Sequence, residues 1–179
     1  MLQVVQRVHS LAGDDLLLPC RVTRLEGVSL ATPIGPRRYT GPALLQARAD
    51  RFMRRNLDFA FDWGAPIRIQ RALWRCGVGL ADADSVVGPH NWAVLGERVL
   101  LGDTGSLTRD RRTALAVMDA RRLDEVETRV MRTAATGGME AVARDYLRVM
   151  REGLGKPALT DLWNTGTSRD RTLSAILRA

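Results

Sequence analysis

Two oxygen-bearing side chains flank the most regular apolar stretch of the chain. Asn91 stands before Trp92-Ala93-Val94-Leu95, and Asp103 follows Arg98-Val99-Leu100-Leu101-Gly102. Between the runs, Gly96-Glu97 makes a two-residue turn with glycine first, so the spacing predicts a hairpin of strands 92–95 and 98–102. Folding back brings Asn91 and Asp103 together at its open end. An amide oxygen and a carboxylate so placed can hold Mg²⁺, which takes oxygen ligands and often uses one or two protein groups with phosphates. Gly105 lets the backbone turn sharply after the carboxylate. The loop before Asn91 adds Asp82 and Asp84, an acidic pair able to bind a cation or accept a proton. It also adds His90, which can orient Asn91 or touch a ligand. Each has a plainer use. Asn and Asp at strand ends bond nearby backbone, loop acids cap short turns, and a loop histidine bonds its own loop.

These residues need elements to position them. Residues 2–8 (LQVVQRV) are β-branched and read as a short strand. Short strands near 16–18 and 20–25 follow, and 31–41 (ATPIGPRRYTG) reads as a loop. From Pro42, Leu44, Leu45, Phe52, Met53, Leu57 and Phe61 recur at three- and four-residue steps, which predicts a helix over 43–62. A second helix is expected over 66–76, with Pro66 in its first turn and Gly77 past its end. Residues 77–91 read as a loop. After Asp103-Thr104-Gly105 the pattern is helical: 109–118, 120–134, 138–152 and 168–178, the last capped by Thr167 or Ser168. The fold class expected is mainly α with a small β-hairpin. It forms a single domain over 1–179: irregular with short strands over 1–41, a helical core over 42–165, and a C-terminal helix over 166–179.

Composition narrows the classes. The 179 residues are 45% hydrophobic, which is globular and argues against wholesale disorder. The longest apolar runs are a few residues, so no membrane span is expected, and the start MLQVVQRVHS lacks a secretory pattern. Cys20 and Cys76 form neither a disulfide framework nor a zinc spacing, and a cytoplasmic setting is expected. Cys76, late in an apolar helix, reads as packing, as do Trp63, Trp74, Trp92 and Trp163. The net charge is +7, and Lys156 is the one lysine. Arginine-rich faces (Arg48, Arg51, Arg54 and Arg55; Arg109, Arg111 and Arg112) could contact phosphates, which makes an Arg-rich helical nucleic-acid-binding module the alternative function. The plainer use, which Asp50, Asp58 and Asp110 beside them favour, is a solvated face.

The order of two helices, a loop ending in Asn91, a hairpin, Asp103-Thr104-Gly105 and a helical tail resembles the C-terminal lobe of the protein-kinase-like superfamily. The segment LWRCGVGLADADSVVGPHNWAVLGERVLLGDTGSLT is also similar to a divergent bacterial kinase-like group. The resemblance implies that Asn91 and Asp103 hold the magnesium of ATP, that Gly105 and His90 lie at the nucleotide, and that Asp84 or Asp82 takes the acceptor proton of a phosphotransfer. The motifs are degenerate. The residue five before Asn91 is Val86 rather than Asp, Thr104 replaces the Phe of Asp-Phe-Gly, and no Gly-rich loop precedes a Val-Ala-Ile-Lys strand. The resemblance therefore implies a C-lobe with little or no N-lobe, binding Mg-nucleotide or serving as a pseudokinase-type scaffold for a protein partner. Asp103-Thr104-Gly105-Ser106 also matches the aspartic-protease signature, but those enzymes are largely β and need a second Asp.

Overall fold

A computed structural model describes Val4, Val5, Val8 and residues 16–53 and 62–176, without the side chains of Val22 and of 168–176. The described residues form a mixed α+β fold. The first strands, β1 (Cys20–Leu30) and β2 (Arg37–Gln46), pair antiparallel from Cys20↔Gln46 to Leu30↔Arg37. Gly27, at φ +61°, sits in the bulge between Leu25 and Val28, and its N–H donates to Thr40 Oγ1 at 2.9 Å. Strands of this length span about 35 Å. From Glu26 to Thr40 the ribbon is largely exposed.

A three-stranded sheet follows, in the order β3 (Arg51–Phe52), β5 (Trp92–Leu95) and β6 (Arg98–Leu101). Its register pairs Arg51↔Val94 and Trp92↔Leu101. Gly96 turns the hairpin at φ +60°, and the Asp50 carboxylate accepts its N–H at 2.6 Å. A second small pair joins β4 (Gly79–Leu80) to β7 (Leu107–Thr108). The helices are α1 (Gly64–Arg75), α2 (Ala83–Val87), α3 (Arg111–Val117), α4 (Ala120–Ala135), α5 (Glu140–Gly153) and α6 (Lys156–Ile176). One core unites them, with Leu73, Trp74, Trp92, Leu101, Tyr146, Met150 and Leu159 fully buried. Trp163 is buried too, and Cys20 and Cys76 pack half-buried on the same core.

The hairpin, α1 and the helices from Arg111 to Gly153 match the sequence reading within a few residues. Elsewhere the structure corrects it. Val4, Val5 and Val8 are helical rather than extended. The expected helix over 43–62 is instead the end of β2, a connection and β3 as far as Met53; residues 54–61 lie outside the described ones. Pairing with a distant strand overrode the local three- and four-residue spacing, and Pro42 is tolerated because β2 is an edge strand. The expected loop over 31–41 gives way to β2 at Arg37 for the same reason. Arg48 and Arg51 therefore do not share a helix face. The expected helix over 168–178 belongs to a longer one that begins at Lys156, so Thr167 and Ser168 are interior. Gly166 does not break it. A Cβ there would lie 1.8 Å from the carbonyl oxygen of Arg75, so glycine lets α6 press against the end of α1.

Candidate functional site

The β5–β6 hairpin and the β4–β7 pair together frame the segments 81–91 and 102–106. Ala81 N–H donates to the Ser106 carbonyl at 2.7 Å, and the Asn91 carbonyl accepts from Gly102 N–H at 2.8 Å and Asp103 N–H at 3.4 Å. The two segments thus run side by side, and the backbones of Asn91 and Asp103 meet at the open end of the hairpin. Gly102 is dictated by packing, since a Cβ there would fall 2.3 Å from the Phe52 ring. Gln46 Nε2 donates to the Gly102 carbonyl at 2.7 Å, tying the base of the ribbon to the same point.

The side chains then diverge. Asn91 is buried, and its Nδ2 donates to the Asp84 carbonyl at 3.0 Å, which leaves Oδ1 for a cation. Asp103 is exposed, and its Oδ1 accepts the Gly105 N–H at 2.8 Å, which leaves Oδ2. Gly105 has no positive φ, and a Cβ there would meet only this exposed carboxylate oxygen at 3.0 Å, so the sharp turn expected to need glycine does not require it. Thr104 is buried, and the buried Ser106 hydroxyl has no hydrogen-bond partner. Among the described residues no group of three His, Cys, Asp or Glu side chains could hold a metal. An amide oxygen and one carboxylate fit a magnesium ion that brings its own phosphates, not an all-protein cage.

Asp82 and Asp84 play different parts. Asp82 caps α2: one carboxylate oxygen accepts Ser85 N–H and the other the Ser85 hydroxyl, both at 2.7 Å. Asp84 turns its carboxylate outward, with His90 Nε2 and an Arg129 nitrogen each 3.5 Å away. Gly88 makes this approach possible, because a Cβ there would lie 2.2 Å from the Asp84 carbonyl and 3.0 Å from His90 Cε1.

Sequence reasoning missed the residues that hold this loop. Gln70 of α1 is buried and its Nε2 donates to the Val86 carbonyl at 2.7 Å. Tyr146 of α5 is fully buried and its hydroxyl donates to the Val87 carbonyl at 2.9 Å. Its ring also meets Trp63 edge-on, with centroids 5.9 Å apart. A polar residue on an otherwise apolar helix face was the available signal for Gln70. Arg129, also missed, lies on a helix that reads as an ion-pair-laced surface. In comparisons with known protein families, curated proteins and solved structures, the chain matches none.

Proposed function

We propose that this is a kinase-like domain of C-lobe type with degenerate motifs, binding a magnesium–nucleotide at the open end of the β5–β6 hairpin. One observation carries the reading: the Asn91 carbonyl bonds the amides of Gly102 and Asp103, which sets the backbones of an amide-bearing and a carboxylate-bearing residue side by side at the open end of the hairpin. Asn91 Oδ1 and Asp103 Oδ2 are the atoms that would hold magnesium; bound there, it would neutralise nucleotide phosphates. Of the two loop acids, Asp84 is the candidate proton acceptor, since its carboxylate faces outward beside His90 and Arg129 whereas that of Asp82 caps α2 through Ser85. The one lysine, Lys156, bonds Asp119 at 3.3 Å at the start of α6, so phosphate binding falls to other groups. That favours nucleotide binding or a pseudokinase-type scaffold over rapid phosphotransfer.

The test is the melting temperature with ATP, with and without Mg²⁺, at two salt concentrations. The expected result is a Mg²⁺-dependent rise, worth about 2.7 kcal/mol at a hundredfold excess over Kd. Asp103→Asn removes it while the ligand-free protein melts as before, because the exposed carboxylate holds a single backbone amide. Absence of a Mg²⁺-dependent shift in the wild type overturns the reading.

A second reading has an observation of its own. Between Cys20 and Ala49 the chain carries Arg21, Arg24, Arg37, Arg38 and Arg48 against Glu26 as the one acid. Most of this charge lies on an exposed two-stranded ribbon, a shape that a DNA major groove admits. The ribbon, rather than a helix face, is then the nucleic-acid surface, and the salt dependence of DNA binding tests it.

A further inference from the structure

The segment from Asp82 to Asn91 is held more firmly than a plain connection needs. The Asp84 carbonyl accepts from Gly88 N–H at 2.6 Å and from Asn91 Nδ2, while buried Gln70 and Tyr146 fix the carbonyls of Val86 and Val87. Such support is what a site needs if its side chains are to stay within a fraction of an ångström of place. What the loop presents is Asp84 and His90, facing α4 across a cleft of about 300 Å³. Arg129, Arg132 and Thr133 line the opposite wall. That volume is at the small end of ligand sites.

The chemistry of the lining is one-sided. Asp84 is its one acid, and that carboxylate is shared between His90 and Arg129. Arg132, one turn further along α4, has no acidic partner among the described residues. The cleft therefore offers a guanidinium fork, a hydroxyl and an imidazole, with positive charge in excess. Arginine forks suit the paired oxygens of phosphate and carboxylate groups. We propose that this cleft binds the oxyanion group, phosphate or carboxylate, of a small molecule. Arg132 and Thr133 hold the oxygens directly, and Asp84 is a positioning residue that aims His90 and Arg129. Asp84 and His90 are shared with the kinase-like reading, but neither Asn91 nor Asp103 lines this cleft, so Asp103→Asn distinguishes oxyanion binding here from magnesium binding at the hairpin.

The experiment is an NMR titration of the full chain with inorganic phosphate and, separately, with succinate, in the absence of magnesium. Saturable shifts of the His90 and Thr133 resonances are expected. Arg132→Gln, at an exposed position, lowers the affinity by about tenfold or more. Asp103→Asn binds as the wild type does. Saturation by phosphate alone assigns a phosphate-bearing ligand, by succinate alone a carboxylate, and by both a general oxyanion site. No saturable shift with either anion overturns the proposal, as does undiminished binding by a folded Arg132→Gln.

Discussion

Tyr146 shows how one hydroxyl can serve a site that it does not touch. Its ring lies in the core, and its hydroxyl reaches the Val87 carbonyl. Burial pushes the phenol far above its ordinary pKa, so it stays a donor across the working pH range. Tyr146→Phe keeps the ring and leaves that carbonyl without its donor. The expected loss is about 1–3 kcal/mol in urea unfolding, with the slope unchanged. The same variant broadens or shifts the His90 resonance, because the carbonyl lies on the loop that carries the imidazole. An unchanged stability and an unchanged His90 signal would remove Tyr146 from the loop's support. The tyrosine was legible in the sequence as a helix residue, but its partner 59 positions away was not.

At the scale of elements, two helices of the second half, α3 and α4, begin on aspartates. Asp110 accepts Arg112 N–H at 3.0 Å at the start of α3, and Asp119 accepts Arg121 N–H at 3.2 Å at the start of α4. The Thr113 hydroxyl, then the Arg112 amide, draw the Asp110 carboxyl below its ordinary value; Lys156, then the Arg121 amide, do so for Asp119. A carboxyl whose pKa is lower folded than unfolded stabilises the fold above its unfolded value, and the contribution is lost as pH falls through the folded one. Asp110→Asn/Asp119→Asn keeps neutral caps and removes the charge. The wild type should therefore melt higher than the double variant at about pH 6, and the gap should close at about pH 2. A gap that persists in acid would show that these carboxylates act through something other than their charge.

For the whole molecule, the arrangement of charge matters more than its net value of +7. On α4 and α5 several arginines are matched: Arg151 pairs with Asp124 and Glu127, Arg148 with Asp145 and Glu152, and Arg121 with Glu125, whereas Arg132 has no acidic partner among the described residues. On the ribbon Arg24 takes Glu26 at 3.4 Å, and no other acid lies between Cys20 and Ala49. The ribbon is therefore one exposed element on which arginines outnumber acids. Its turn carries Ile34, which is 76% exposed. If the ribbon binds duplex DNA through Arg21, Arg24, Arg37 and Arg38, log K should fall against log salt with a slope of about −4. Arg37→Ala/Arg38→Ala should make the slope shallower by about 2, uniformly across DNA sequences. A slope indifferent to the double variant would exclude the ribbon. No helix among the described residues is long and apolar enough to cross a membrane.

By itself the sequence determined what depends on neighbours. The β5–β6 hairpin follows from two apolar runs and a Gly-first turn, and α1 from Pro66 in its first turn and its Gly77 stop at φ +66°. The meeting of Asn91 and Asp103 was legible too, because a two-residue turn sets the register of everything beside it. Tertiary structure decided the rest. The apolar spacing after Pro42 suits a helix locally, yet Cys20–Leu30 claims it as a strand, and that pairing draws on residues far apart in the chain. Glycines at 88, 102 and 166 read as punctuation, whereas the structure uses each one to let another atom come closer than a Cβ would allow. Which loop acid faces a ligand was likewise undecided. Asp82 and Asp84 are equivalent in sequence, and they separate once Ser85 takes one and α4 brings Arg129 to the other. Local patterns specify backbone conformation over a few residues, but the direction of a carboxylate depends on which distant side chain arrives beside it.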